Sequence, residues 1–334
     1  MCTENFILTE IMRMGNIVKI IRHEDIVKAG ITPTQCLKWI EESFKIKYES
    51  SLPPKISLHP QGDDFFNTMP CLLPERYGRF SVKEVHRIAG QVPSLGSDIL
   101  LYNSKQGNLL AIIDGDWITT MRTGAVAALS ARYLKPSNAN DYSFIGLGNT
   151  ARATALCLLE DNKDQQIVFR VLNYKNHADL FIERFKGYTN LSIEVVDDIQ
   201  TLVKESNVLI SCITSANGIL CPNDELFKPG MLLIPVHTRG FQNCDLFFDK
   251  IFGDDTGHIQ GFKYFSRFKK FDELSQVLLG NNPGRENDSE RIIAYNIGLG
   301  LHDAVYSSHI YDSLKDKTDI SFFVQDKETT KFWI

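Results

Sequence analysis

The spacing of apolar residues changes character near residue 140, and the change divides the chain. Over 51–113, short apolar runs alternate with polar residues and are broken by Gly, Pro, Asn and Asp: FFNTMPCLLP, GRFSVKEVHRIAG, DILLYN and NLLAIID. Alternation of this kind predicts antiparallel strands. YNSKQGN, between the last two runs, predicts a hairpin turn. Ahead of these runs, NIVKII predicts a short strand. TPTQCLKWIEESFKIKY then predicts a helix, with Thr32 as cap, Pro33 at the first position and Gln35 closing a capping box. Its apolar residues Leu37, Ile40, Phe44 and Tyr48 recur at helical spacing. A small-residue helix is predicted over 119–134, ended by Pro136.

From 142 the runs become apolar and β-branched and alternate with helical stretches: YSFIG, IVFRVLN, LSIEVV, VLISCIT, MLLIPVH and LFFDKIFGD. Buried strands separated by amphipathic helices predict a doubly wound parallel sheet. The fold class is therefore α/β, a Rossmann-type domain beside an α+β part. A last helix is predicted in GLGLHDAVYSSHIYDSL, and NNPGRENDSE (281–290) reads as a polar loop.

Composition removes several classes of function. With 334 residues, 43% hydrophobic and 23% charged, the chain has material for two ordinary domains or one large one. A net charge of −5 without a basic run argues against a nucleic-acid partner. No apolar stretch approaches the roughly 18 residues of a membrane span. The first fifteen residues carry Glu4 and Glu10 and lack the apolar core of a signal peptide. Seven cysteines without paired CxxC spacing read as free thiols, so a cytoplasmic location is expected. The eight histidines show no ligand spacing, and no metal is expected.

Two short stretches carry the chemistry. YSFIGLGNTARATALCLLE puts Gly146, Gly148 and Ala151 directly after a strand and at the mouth of a helix, with Asn149 and Thr150 between them. The first glycine permits a tight turn, and the second removes bulk where backbone approaches a pyrophosphate. The small third residue lets helix pack on strand. A dinucleotide site is expected. At the tip of the next strand, where an acid normally takes the ribose hydroxyls of NAD, stands Asn173, with Lys175 close behind. A missing carboxylate and a nearby cation lean the reading from NAD slightly toward NADP. The other stretch is ITTMRTG, where Thr119, Thr120, Arg122, Thr123 and Gly124 crowd the start of the predicted helix. It reads either as a Thr cap with a surface arginine or as an anion site built on the helix end and a guanidinium fork.

With these stretches together, the chain resembles the ornithine cyclodeaminase and mu-crystallin family from about residue 16 to 315. LLYNSKQGNLLAIIDGDWITTMRTGAVAALSARYL is similar to that family's signature, YSFIGLGNTARA to its nucleotide loop, and NIGLGLHD to its segment near the C-terminus. The resemblance implies a homodimer. Its substrate and dimerisation domain would comprise 16–134 with 302–334, and its Rossmann NAD(P)-binding domain 135–301. Residues 1–15 would be an N-terminal extension. It also implies an active site in the cleft, where nicotinamide exchanges a hydride with the α-carbon of an amino or imino acid.

Residue by residue, the resemblance makes Arg122, Lys83 and Lys55 a cationic clamp for the substrate carboxylate, with Arg122 and Lys83 catalytic. Three converging cations would favour loss of a proton from a substrate ammonium or from Lys83 itself. Ser94, Thr123 and Asn296 match cofactor or substrate contacts. Two positions depart from the family. Arg239 stands where ornithine-deaminating members carry the acid that activates water, and Asp245 lies too far along to replace it. Asn67 stands where they carry a glutamate for the distal amine. A site so altered would bind a distal ammonium poorly, and Arg239 suits a second carboxylate. The expected function is an NAD(P)-dependent oxidoreductase acting on a Cα–N bond: an amino-acid dehydrogenase, ketimine reductase or opine-type dehydrogenase. PGREND followed by NIGLGLHD is similar to the opine-type members. The alternatives are ornithine cyclodeaminase using Asp245 and a non-catalytic, crystallin-like NAD(P)-binding protein.

Overall fold

A computed structural model describes residues 16–236 and 239–325, and the expected extension over 1–15 lies outside the described residues. The chain forms two compact units. Among the described residues, one holds 16–31, 46–119 and 300–325; the other holds 32–45 and 120–299.

The first unit is built on a seven-stranded sheet. Its strands are β1 (Asn16–Ile21), β2 (Ile56–Leu58), β3 (Phe65–Leu72), β4 (Arg79–Arg87), β5 (Leu95–Asn103), β6 (Leu109–Asp114) and a final strand, Phe322–Gln325. β3 to β6 pair antiparallel in succession, as their alternating pattern predicts. Gly107, at φ +74°, turns the β5–β6 hairpin. β1 joins β6 in parallel and takes Phe322–Gln325 antiparallel on its other edge. Along β4 every second residue points inward, so Ser81, Lys83 and Val85 are buried. The helix Gly300–Leu314 packs on β3, β4 and β5. It approaches closely because Gly300 has no side chain: a Cβ there would lie 3.0 Å from the Met69 carbonyl oxygen.

The second unit carries an eight-stranded sheet in the order β13-β12-β14-β11-β10-β7-β8-β9. The strands are β7 (Asp141–Ile145), β8 (Ile167–Leu172), β9 (Leu191–Val196), β10 (Val208–Ser211), β11 (Leu232–Pro235), β12 (Lys250–Gly253), β13 (Phe271–Glu273) and β14 (Ile292–Tyr295). All neighbours run parallel. β7, β10, β11, β12 and β14 are buried at every residue, as strands covered on both faces are. The helix Pro33–Lys45 belongs here, packed on the helices Asn149–Asp161 and Leu274–Leu278. Its capping box is present: Gln35 N–H donates to Thr32 Oγ1 at 3.3 Å, and Thr32 N–H to Gln35 Oε1 at 3.0 Å. The helix ends at Lys45, so Tyr48 falls outside it, in a short 3-10 turn, and is exposed.

The predicted 119–134 helix runs from Asp116 to Leu134. It crosses Asn149–Asp161 at Gly124, where a Cβ would lie 2.5 Å from Thr154 N and 2.6 Å from Ala153 Cβ. The PGREND stretch is scaffold. The Arg285 guanidinium donates to the carbonyls of Leu134, Gly230, Asn287 and Glu290. Gly230 precedes β11, so this knot ties the amino ends of the strands, the edge opposite the glycine loop. Among the described residues no helix is long and apolar enough to cross a membrane, and no group of three or more His, Cys, Asp or Glu is placed to hold a metal ion.

Candidate functional site

In the parallel-sheet unit, β7 ends at Ile145 and the chain turns at Gly146, with φ +80°. A Cβ there would lie 2.9 Å from the Cys212 backbone, so both the turn and the close approach require glycine. Gly148 caps the helix Asn149–Asp161, and a Cβ on it would meet nothing within 4 Å. That helix has no side-chain cap bond and no acid in its first turn. Its leading N–H groups are thus left to an anion, and the exposed Gly148 leaves room for one. Asn149 is exposed, Thr150 half-buried, and Ala151 fully buried where the helix meets the sheet. These features fit a dinucleotide pyrophosphate.

The tip of β8 differs from its expected form. Asn173 is exposed there, but its Nδ2 donates to Asp197 Oδ1 at 2.8 Å. Asp197 follows β9, so the neighbouring strand returns a carboxylate to a tip that lacks its own. Lys175 adopts φ +53°, with its ammonium 5.2 Å from the centre of the Tyr174 ring.

Arg122 is 6% exposed. It lies against Gly298, where any Cβ would overlap the guanidinium. The loop carrying Gly298 is pinned by Asp254, a buried carboxylate at the end of β12. Asp254 Oδ2 accepts the Ile297 and Gly298 N–H groups, each at 2.7 Å, and Oδ1 accepts Asn296 Nδ2 at 3.3 Å. Burial raises the Asp254 pKa, while these bonds and the Arg122 charge oppose the rise. Asn296 Nδ2 also donates to Ser130 Oγ at 3.2 Å, and Asn296 Oδ1 is buried with no hydrogen-bond partner. Thr123, beside Arg122, is buried. The expectation of a helix-end anion site at Thr119–Gly124 needs correction. The helix starts three residues earlier, and its first N–H meets the protein's own acid: Asp116 N–H donates to Asp114 Oδ1 at 3.0 Å. Residues 119–124 lie inside the helix, where Thr119 N–H donates to the Gly115 carbonyl at 2.7 Å, so they do not form a helix end.

Arg239 and Asp245 line one cavity of about 670 Å³, with Ile219, Phe262, Lys263 and Tyr264 among its walls. Arg239 Nη1 donates to the Thr214 carbonyl at 2.8 Å. Asp245 is 1% exposed and accepts the Tyr295 hydroxyl at 2.5 Å. Burial pushes its carboxyl up to about 6. The fold thus brings Asp245, too distant by counting, to the same cavity as Arg239.

In the other unit Lys83 is fully buried on β4 and donates to Asp303 Oδ1 at 2.9 Å. Asp303 is fully buried in the first turn of Gly300–Leu314. The resemblance sets Lys83 in a clamp for a substrate carboxylate; in the structure it bonds this carboxylate of the protein itself. Burial and the Asp303 charge push the nearby Cys71 thiol up to about 12, which disqualifies it as a nucleophile. Asn67 sits on the same face of the sheet as Lys83, because Met69 pairs with Lys83 and Asn67 with Val85. Its Oδ1 is buried with no hydrogen-bond partner. Lys55 directly precedes β2, whose Ile56 pairs with Thr68. Continuing that register places Lys55 level with Met69 and Lys83. Ser94 closes the β4–β5 loop through its carbonyl, which accepts Ile88 N–H at 2.9 Å.

Asp303, Asp254 and Asp197 escaped the sequence reading. Asp303 lies inside NIGLGLHD, but nothing in that segment points to a lysine 220 positions away. Asp254 and Asp197 each follow a parallel strand at its carboxyl end, where α/β sheets bind ligands. That placement was the signal available.

The model of the ornithine cyclodeaminase/mu-crystallin family matches residues 17–318. The nodulation efficiency protein NfeD of Rhizobium meliloti is 24% identical over 88% of this chain and 95% of its own. The ketimine reductase mu-crystallin of Macropus fuliginosus is 26% identical over 66% of this chain and 70% of its own. Among solved structures, Thermococcus litoralis Δ1-pyrroline-2-carboxylate reductase, in complex with NADH and L-proline, superposes with a TM-score of 0.79 at 22% identity. It covers 90% of this chain and 98% of that one. The chain belongs to the ornithine cyclodeaminase/mu-crystallin family.

Proposed function

We propose that the protein is an NAD(P)-dependent oxidoreductase that interconverts an α-imino acid and an amino acid at the Cα–N bond. The observation that carries this reading is Arg122. A guanidinium almost wholly removed from water, set on a loop that Asp254 pins, at the sheet edge that carries the glycine loop, is built to hold a carboxylate. Relatives that reduce imines, the ketimine reductase and the pyrroline-2-carboxylate reductase, support the reaction class.

The unit with the glycine loop serves as the nucleotide-binding domain, through Gly146, Gly148, Asn149, Thr150 and Ala151 at the pyrophosphate and Thr123 and Asn296 nearer the reacting end. The other unit supplies substrate and dimer contacts. A bound nicotinamide would supply the hydride. Arg122 pairs with the substrate carboxylate and fixes which face of the α-carbon is presented. Lys83, held by Asp303, donates the proton at its Nζ, and Lys55 and Asn67 add polar contacts to the substrate. Arg239 reads the distal group, which its charge makes an anion. The exposed apolar residues Ile56, Leu58 and Phe66 on β2 and β3 favour self-association as a homodimer.

The test is reduction of α-imino acids formed in situ from α-keto acids and amines, with NADH and NADPH. Arg122→Ala is expected to raise KM for the imino acid at least tenfold while nucleotide affinity changes less than twofold. An unchanged KM removes Arg122 from the substrate site. A second reading, ornithine cyclodeaminase, is favoured by Asp245, a buried acid with a raised pKa on a cavity wall. Arg239 on that wall opposes it, because it repels a distal ammonium. Proline and ammonia from ornithine would establish it.

A further inference from the structure

The cofactor's ribose end is where the sequence and the fold disagree. Asn173 and Lys175 together lean toward a 2′-phosphate, but the fold surrounds them differently. β8 lies between β7, which carries the glycine loop, and β9. Leu172 pairs with Val196, so the residues that follow, Asn173 and Asp197, emerge side by side. Two bonds fasten them. Asn173 N–H donates to the Val196 carbonyl at 2.8 Å, and Asn173 Nδ2 donates to Asp197 Oδ1 at 2.8 Å. With Nδ2 committed to the acid, Asn173 offers its amide oxygen, and Asp197 offers its second carboxylate oxygen. The tip therefore presents acceptors and one full negative charge, and Asp197 is exposed to whatever rests there. The one nearby cation named by the sequence, Lys175, has its ammonium over the Tyr174 ring.

A dinucleotide laid on the glycine loop brings its adenosine ribose to the tip of the adjacent strand. A ribose diol has two donors to give such a tip, whereas a 2′-phosphate carries close to two negative charges and no donor worth the name at neutral pH. We infer that Asp197, a residue of the strand beyond β8, sets the cofactor choice of this chain, accepting the ribose hydroxyls of NAD(H) and repelling the 2′-phosphate of NADP(H). The inference rests on the oxidoreductase reading only through the nucleotide site, and it needs no substrate to be tested.

The experiment is a fluorescence titration of the full chain with NADH and with NADPH, for the native protein, Asp197→Asn and Lys175→Met. Asp197→Asn keeps an oxygen for Asn173 Nδ2 and removes only the charge. The native protein is expected to bind NADH at least tenfold more tightly than NADPH. Asp197→Asn is expected to shrink that ratio at least threefold, chiefly by tightening NADPH. Lys175→Met is expected to change the ratio less than twofold. Tighter binding of NADPH by the native protein, or an unchanged ratio in Asp197→Asn, overturns the assignment. A ratio that collapses in Lys175→Met instead makes that lysine the discriminator and overturns it too. Binding of neither nucleotide by folded protein overturns the oxidoreductase reading, and the inference with it.

Discussion

Asp245 is a residue whose burial has a cost that can be measured. Its carboxyl, ordinarily near 3.8, is pushed up to about 6 by burial, against the opposing bond from Tyr295. A folded-state pKa above the unfolded value means the folded protein binds the proton more tightly. The associated stability is complete below about pH 3.8 and is lost as pH rises through about 6. At pH 7.5 the buried charge is therefore a net penalty, of up to about 3 kcal/mol for a shift of this size. Asp245→Asn keeps an acceptor for the Tyr295 hydroxyl and removes the charge. It should raise the thermal midpoint at pH 7.5, with the gain shrinking toward pH 4. A midpoint that is lower at both pH values would show that the carboxylate is not the destabilised form. Residue-level legibility followed range along the chain. Gly146, Gly148 and Ala151 act within one turn and could be read directly. Lys83 and Asp303 are both buried and bonded, yet their pairing is created by a sheet and a helix that meet only after folding.

Among elements, the helix Asp116–Leu134 shows how a propensity rule is overruled. Alanine is favoured over glycine inside a helix by roughly 1 kcal/mol. At Gly124, however, a Cβ would lie 2.5 Å from Thr154 N, a backbone atom that cannot swing aside. Forcing a methyl into a closed contact costs about 1–3 kcal/mol. Gly124→Ala should therefore lower the thermal midpoint and weaken nucleotide binding, because the helix displaced is the one that opens at Gly148. An unchanged or raised midpoint would mean that the two helices part without cost. The strands β7 to β12 lie within the mainly apolar stretches that alternate with helices. β13 and Phe322–Gln325 are three- and four-residue strands, partly exposed, that offer no such stretch. β14 is as short and as buried as β10 to β12, and it went unread although its residues are apolar. The early start at Asp116 was missed because the helix opens in acids rather than in the expected hydroxyls.

At the scale of the whole molecule, the fold class followed from hydrophobic pattern, whereas the return of the C-terminal helix to the first part was implied by the family resemblance. The unit with the parallel sheet also takes 32–45 and 120–134, both expected with the other part. Pro33–Lys45 has a plain amphipathic face, but a face says only that something covers it. In the fold its neighbours are Asn149–Asp161 and Leu274–Leu278, more than a hundred residues downstream. The family is established by a match over 17–318, and the reaction proposed for this member rests on the glycine loop, the pinned Arg122 and the Lys83–Asp303 pair. The most direct test follows the hydride. NADH deuterated at the nicotinamide C4 is supplied with imines made from glyoxylate, pyruvate and 2-oxoglutarate with ammonia or amino acids, and products are analysed by mass spectrometry. Deuterium at the α-carbon of an amino-acid product, abolished in Arg122→Ala, is the predicted result. Saturable NADH binding with no deuterium in any product would contradict the account and leave a nucleotide-binding protein without this chemistry.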